Sequence, residues 1–238
     1  MTIAKDATGQ NFTSAISISN PFTNSTVFTI CAFTTDGVFV GGSSFAVPPY
    51  GRFFAVSPTA SGVLGLNDFL LPVKSPIATG PGSGTGGGGV PAAKDIHLYT
   101  DATGGPVSAG FVGNNGQFLT FYSVPTTECC AAYFPHAGTA GGFNTVFYVA
   151  NPTTTPINVT IKSYDDSGNV RTTSPRMAIP GLARIALTAS ELGISGMGQV
   201  SIQELNRNRF SALAVIVYPT SAVGGASVSV QTPAYKYE

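Results

Sequence analysis

The segment 142–152, GFNTVFYVANP, repeats the pattern of the segment 11–21, NFTSAISISNP, 131 positions earlier in the chain. In both segments apolar residues recur at alternate positions, and both segments end in Asn-Pro. Alternation with a period of two is typical of a half-buried strand, and proline ends a strand because it has no N–H to donate to the ladder. This pair of segments predicts two copies of one β domain.

The similarity continues beyond these segments. Val47-Pro48 match Ile179-Pro180, and Leu98 is matched with Ile202 further along the chain. An insertion at about residues 59–94 separates these matches in the first copy. It contains the glycine-rich run 80–89 and is expected to be a flexible loop. We therefore predict a β-sandwich copy 1 at residues 1–125, a linker at residues 126–138 that contains Cys129-Cys130, and a β-sandwich copy 2 at residues 139–238.

Turn signals separate short β-rich segments throughout both copies. Asp165–Asn169 reads as a hairpin turn, because glycine and asparagine tolerate a positive φ. Only residues 188–193 resemble a helix, as a single turn with Ser190 as its cap. Without long amphipathic helices, the pattern predicts an all-β fold of two tandem antiparallel immunoglobulin-like β-sandwiches that arose by internal duplication.

The composition limits the classes of partner. Eleven basic and eleven acidic residues give a formal net charge of zero, so we expect no nucleic acid and no anionic membrane as partners. No apolar run is long enough to span a bilayer, so membrane insertion is not expected. Charged residues make up 9% of the chain, against about 25% in ordinary domains. A weakly charged surface tends to associate, which favours self-assembly, with a glycan coat or a Ser/Thr-rich secreted monomer as alternatives.

Four motifs of the second copy occur in an order that resembles a known type of module. They are Gly141–Thr145, Asn151-Pro152, Asp165–Asn169 and Ile179–Gly181. This order resembles the immunoglobulin-like β-sandwich repeat modules of exported bacterial surface and structural proteins. The resemblance covers most of copy 2 and less of copy 1. It implies an extracellular or cell-surface location, although the numbered sequence starts without a signal peptide, and it implies no catalytic site.

Few residues could support catalysis or hold a metal ion. The two histidines, His97 and His136, have no metal-type spacing to other ligands. The oxygens of Asp165–Asn169 could bind calcium, but a plain hairpin turn is the stronger interpretation. We therefore predict no cofactor, no metal and no enzymatic activity. Tripeptides such as Asn24-Ser25-Thr26 fit the N-glycosylation pattern, so an attached glycan is possible.

The three cysteines, Cys31, Cys129 and Cys130, cannot all pair within one chain. Cys31 is expected to face outward, because Phe28 and Ile30 on the same predicted strand are expected to face inward. One hypothesis is that a linker cysteine bonds to Cys31 while the third cysteine bonds to another subunit. The alternative is three reduced thiols.

The leading functional hypothesis is a non-catalytic, self-assembling subunit of a filament, a pilus-like fibre or a surface layer. Its candidate strand-exchange residues lie near the two ends of the chain, at Thr2, Ile3, Ala4, Tyr235 and Tyr237.

Two other functions remain open. One is a monomeric adhesin or carbohydrate-binding module that uses Tyr50, Phe53 and Tyr133, although the chain has no Trp. The other is a structural component of a virion or phage tail.

Overall fold

The computed structural model describes residues 13–34, 36–56, 96–100, 107–112, 118–123, 128–217, 228–231 and 233–236. Over these residues the regular elements are β-strands, and all their pairings are antiparallel. In this part of the chain no helix is long and apolar enough to cross a bilayer. The chain divides into two compact units, with the boundary between residues 124 and 125. The prediction of an all-β, antiparallel protein is therefore confirmed.

Unit 1 contains seven described strands in two sheets. They are β1 (Thr13–Ser19), β2 (Thr26–Thr34), β3 (Phe39–Val47), β4 (Arg52–Val56), β5 (Ile96–Thr100), β6 (Val107–Val112) and β7 (Phe118–Ser123). One sheet has the order β4-β1-β6-β7 and the other has the order β3-β2-β5. Ile18 of β1 and Phe28 of β2 are buried, so both sheets contribute to the core of this unit.

Unit 2 contains eleven described strands. They are β8 (Glu128–Cys129), β9 (Ala131–Ala140), β10 (Phe143–Ala150), β11 (Ile157–Tyr164), β12 (Val170–Thr173), β13 (Met177–Ile179), β14 (Arg184–Thr188), β15 (Gly196–Glu204), β16 (Arg209–Val217), β17 (Val228–Gln231) and β18 (Ala234–Lys236). The main path of the sheet is β12-β11-β15-β9-β10-β16-β17, while β13 pairs with β11, β14 with β10, β18 with β9 and β8 with β16.

The sheet of unit 2 curls over a single hydrophobic core. Ile161 of β11 and Ile202 of β15 come from one half of the sheet, and Ala214 of β16 comes from the other half. All three belong to the same buried cluster, which requires the two halves to face each other. Phe134 of β9 and Phe147 of β10 meet in this cluster with their ring centroids 5.8 Å apart. Such contacts between large apolar side chains dominate the stability of a β core.

The bend in β9 allows the sheet to curl. Pro135 and His136 lie opposite the single residue Gln199, so the register of β9 against β15 shifts there. Proline is tolerated at such a bulge because the extra residue donates no hydrogen bond to the neighbouring strand. Gly138 has a φ of 142°, and its N–H and C=O both bond to the hydroxyl of Thr145 at 2.9 Å. A side chain therefore replaces the ladder hydrogen bonds at the bend.

The internal repeat extends to individual hydrogen bonds. The side-chain amide of Asn20 donates to the carbonyl oxygens of Asn24, Val47 and Pro48. The side-chain amide of Asn151 donates to Thr155, Ile179 and Pro180, the corresponding residues of the second copy. Both asparagines are buried. The Asn-Pro motif therefore marks an asparagine that joins the end of one strand to a distant turn.

The structure corrects two sequence predictions in this region. Residues 126–138 were predicted to be a linker, but residues 128–129 form β8 and residues 131–138 belong to β9, both within unit 2. Leu98 was matched with Ile202, whereas the strand registers place Thr100 at that position, because Ile30 pairs with Thr100 and Ile161 pairs with Ile202. A shift of two residues keeps the same face of the strand, so the alternation could not reveal it.

The predicted helical turn at residues 188–193 is present as a turn, but its cap is different. The hydroxyl of Thr188 accepts from the N–H of Glu191, and the Glu191 carboxylate accepts from the N–H of Thr188 at 2.7 Å. This reciprocal pair is a capping box, with Thr188 rather than Ser190 as the cap. The hydrogen bonds from Thr188 lower the pKa of Glu191.

Replacing Ser163 with alanine is expected to stabilise unit 2. Ser163 lies on the inward face of β11, and its buried hydroxyl has no hydrogen-bond partner among the described residues. Unit 1 has Ala32 at the corresponding position. Because a buried unsatisfied hydroxyl costs about 1–3 kcal/mol, Ser163→Ala should raise the free energy of unfolding by about 1 kcal/mol in denaturant titrations.

Ser201→Ala provides the matched control. Ser201 is also buried, but its hydroxyl lies 3.2 Å from the hydroxyl of Tyr164 and shares a hydrogen bond with it. This variant should lose stability. If both variants lose stability equally, the hydroxyl of Ser163 must be satisfied in solution.

Candidate functional site

The start of β9 is where several predicted site residues come together. Ala132 pairs on one side with Ile202 of β15 and on the other side with Tyr235 of β18. Tyr235, predicted to be a strand-exchange residue, thus lies in a strand that pairs within its own chain. Thr2, Ile3, Ala4 and Tyr237 lie outside the described residues, as does the predicted insertion at about residues 59–94.

The cysteines lie in different environments. Cys129 is in β8, in register with Arg209, and Cys31 is in β2 of unit 1, in register with Gly42 and Tyr99. The structure does not describe the thiols of these two residues. Cys130 forms no disulfide among the described residues and is only 8% exposed. A buried thiol behaves as a small apolar side chain and reacts slowly, so Cys130 is poorly placed for a cross-link to another subunit.

A buried carboxylate organises the backbone beside Cys130. Glu204 accepts hydrogen bonds from the main-chain N–H groups of Asn158, Asn206 and Asn208. Its own N–H donates to the carbonyl oxygen of Cys130 at 2.8 Å. Sequence reasoning missed this residue, because a Glu at the end of a strand usually faces solvent. The Asn-Arg-Asn run after Leu205 is the one local sign of a tight turn.

Unit 1 carries a pair of exposed aromatic residues, Phe22 and Tyr50, which we call the aromatic turn. Tyr50 is 73% exposed and Phe22 is 42% exposed. The N–H of Tyr50 donates to the carbonyl oxygen of Phe22 at 3.3 Å, and Tyr50 has a φ of 54°. Few non-glycine residues adopt a positive φ, so the backbone here is held in place by its surroundings.

The same turn in unit 2 has different side chains. Leu182 donates its N–H to the carbonyl oxygen of Thr153 at 2.8 Å, and its φ is 59°. Both of these side chains are half-buried. The turn geometry is thus common to the two copies, whereas the exposed aromatic pair occurs in unit 1. Sequence reasoning named Tyr50 and missed Phe22, which the repeat aligns with Thr153.

The other two aromatic residues predicted for glycan stacking lie in strands, one in each unit. Phe53 lies in β4, in register with Ile18, and the structure does not describe its side chain. Tyr133 is half-buried in β9 of unit 2, between β15 and β18.

A shallow apolar depression lies beside the β9–β10 hairpin. Its volume is about 230 Å³, and its lining consists of His136, Ala140, Gly141, Phe143, Met197 and Ile216. The carbonyl oxygen of His136 accepts a hydrogen bond from the side chain of Gln231 at 2.6 Å. His97, the other histidine, lies in β5 in register with Phe33. Among the described residues no group of three His, Cys, Asp or Glu side chains could hold a metal ion.

Asp165 forms the hairpin turn that its sequence predicts. Its carboxylate accepts hydrogen bonds from the main-chain N–H groups of Asn169 and Ser167, and from the side chain of Asn169. These bonds, first of all the one from the N–H of Asn169, hold the pKa of Asp165 below its usual value. Because the carboxylate oxygens already accept N–H donors, the turn interpretation accounts for them without calcium.

Comparison of the whole chain with models of protein families, with curated proteins and with solved structures found no match to any of them.

Proposed function

We propose that this chain is a non-catalytic, exported structural subunit made of two immunoglobulin-like β-sandwich copies. It assembles with further copies of itself into a filament, a pilus-like fibre or a surface layer. The proposal is supported by the distribution of exposed apolar side chains between the two units.

Unit 1 exposes large apolar side chains where unit 2 has other residues. Phe22, Val27, Val38 and Tyr50 of unit 1 are between 42% and 73% exposed. The repeat aligns them with Thr153, Asn158, Asn169 and Leu182 of unit 2. Since the fold tolerates polar residues at most of these positions, folding does not require the apolar ones. Exposed apolar residues that lie together mark interaction surfaces, and Phe22 and Tyr50 lie together in the aromatic turn. Aromatic residues are enriched at the centres of such surfaces.

The low charge of the chain supports the same function. Charged residues make up 9% of the sequence and the formal net charge is zero, so copies do not repel one another. The main-chain hydrogen bond from Tyr50 to Phe22 fixes the backbone of the aromatic turn, which lowers the entropy cost of ordering that backbone on docking.

Negative-stain electron microscopy and sedimentation of native, non-reduced protein test this function. We expect filaments or sheets from the natural chain. The double variant Phe22→Thr/Tyr50→Leu carries the residues of unit 2 at the aromatic turn, and it should fold normally but lose assembly. Val170→Thr replaces an exposed valine of unit 2 and should assemble like the natural chain. Discrete monomers from the natural chain at all concentrations would contradict the proposal.

The aromatic turn also favours a second candidate function, a monomeric adhesin that binds carbohydrate. The apolar face of a sugar ring can stack on an exposed aromatic side chain such as that of Tyr50. Calorimetric titration with neutral oligosaccharides separates the two functions. A monomer that binds a sugar, and loses this binding in Tyr50→Ala, would support the adhesin, whereas assembly without sugar binding would support the structural subunit.

A further inference from the structure

The aromatic turn of unit 1 projects an aromatic ring, and a growing filament needs a surface that receives it. A surface that binds the same surface of a second copy forms a two-fold dimer, and growth through that contact then stops. Growth by one kind of contact requires two different surfaces on each copy, which meet head to tail. Tyr50 is 73% exposed, so the aromatic turn can be the projecting surface. The receiving surface must then lie elsewhere on the chain.

The shallow depression beside the β9–β10 hairpin is an opening in the core of unit 2. Its most buried lining residue is Ile216, which is 3% exposed. Ile216 lies on the same face of β16 as Ala212 and Ala214, two members of the core cluster, because side chains two positions apart share a face. The other apolar lining residues are half-buried or exposed, namely Ala140, Gly141, Phe143 and Met197. Water therefore contacts apolar side chains at this end of the core.

The depression matches a tyrosine side chain in size and in chemistry. A cavity of about 150 Å³ can hold a benzene ring, and the depression has a volume of about 230 Å³. Its lining contains no Asp, Glu, Lys or Arg, and the thioether of Met197 makes favourable contacts with aromatic rings. A buried tyrosine also needs a polar partner for its hydroxyl. The imidazole of His136, an exposed lining residue, can donate or accept that hydrogen bond.

From these observations we propose that Tyr50 of one copy inserts into the depression in unit 2 of a second copy, with Phe22 packing at its edge. Unit 2 projects no matching ring from its own turn, because the counterpart of Tyr50 is the half-buried Leu182. Each copy therefore presents the ring on one unit and the depression on the other. The inference rests on the proposed assembly function, and it specifies the contact through which copies join.

Photo-cross-linking in the full chain tests this contact. A photoreactive benzophenone amino acid replaces Tyr50, which keeps an aromatic ring at the position. This chain is mixed with an equal amount of heavy-isotope-labelled natural chain, allowed to assemble and irradiated. Mass spectrometry should find residue 50 of the unlabelled chain joined to the lining of the depression in the labelled chain. The expected acceptor sites are residues 136–143, 197 and 216.

A charge placed in the depression provides a second test. Ala140 is exposed, so Ala140→Glu should leave the fold intact while it puts a carboxylate among the apolar lining residues. It should raise the chain concentration at which filaments form by about 30-fold, as expected for the loss of a central aromatic anchor. Asn206→Glu is the control, because Asn206 is exposed at the opposite end of the β15–β16 hairpin. This variant should assemble like the natural chain.

The outcomes separate this inference from the assembly function. Cross-links from residue 50 to unit 2 of its own chain, or to the aromatic turn of a second copy, would overturn the inference. Filaments with cross-links only outside the depression, or an equal effect of Ala140→Glu and Asn206→Glu, would overturn this contact and leave the assembly function in place. A natural chain that stays monomeric at all concentrations would overturn both.

Discussion

Replacing Asn151 with alanine should lower the free energy of unfolding of unit 2 by about 3–5 kcal/mol. The side-chain amide of Asn151 donates to three main-chain carbonyl oxygens, those of Thr155, Ile179 and Pro180. Its own oxygen accepts from the N–H and the hydroxyl of Thr153 at 3.0 and 2.7 Å. Alanine would remove all of these bonds, of which the one to Ile179 is buried and the others are part-buried. A buried group left unsatisfied costs about 1–3 kcal/mol, and a part-buried one costs less.

Hydrogen exchange measured by mass spectrometry can locate this loss. Asn151→Ala should reduce protection in β10 and β14 while β1 and β4 stay unchanged. Asn20→Ala should have the reverse effect, since Asn20 makes the corresponding bonds in unit 1. Asn206→Ala, at an exposed side chain, should change stability by less than about 0.5 kcal/mol. An equally small effect of Asn151→Ala would show that the buried amide does not hold the turn.

Gly138→Ala should destabilise unit 2 by about 3 kcal/mol or more. Gly138 has a φ of 142°, a region that is essentially restricted to glycine and costs other residues about 1–3 kcal/mol. A Cβ at this position would also overlap the carbonyl oxygen of Gly196 in β15. Since this overlap involves backbone on both sides, β9 and β15 would have to separate, which would expose Phe134. Urea titration followed by far-UV circular dichroism measures the effect.

The variant Gly168→Ala separates the cost of the positive φ from the cost of the overlap with the neighbouring strand. Gly168 also has a positive φ, of 84°, but a Cβ there would meet no atom within 4 Å. It should therefore cost only the conformational penalty, about 1 kcal/mol. If the two variants lose the same stability, the close approach of β9 and β15 is not what requires glycine at residue 138.

Features that depend on neighbouring residues could be predicted from the sequence. The hairpin at Asp165–Asn169 was predicted correctly, because an aspartate and a glycine at that spacing define the turn by themselves. The strands β1 and β10 lie within the alternating segments 11–21 and 142–152 for the same reason, since alternation is a local pattern. The repeat also places Asn20 and Asn151 at corresponding positions, each before the proline that ends a strand.

Features that depend on distant partners could not be predicted. Residues 126–138 are predicted to be a linker because they lie between the two copies of the repeat. Residues 128–129 and 131–138 lie in strands instead, because they pair with β16 and β15. The buried role of Glu204 is similar, since it depends on Asn158, 46 positions away.

The sequence by itself determined that this chain is a β protein with an internal repeat. Strand alternation and turn residues are patterns of neighbouring positions, and the repeat is found by comparing the chain with itself. Only the tertiary structure decided which segments pair with β15 and β16, which asparagine and glutamate are buried, and which aromatic residues remain exposed. Burial and strand pairing depend on residues far apart in the chain, and a side chain carries no local sign of the partner that will cover it.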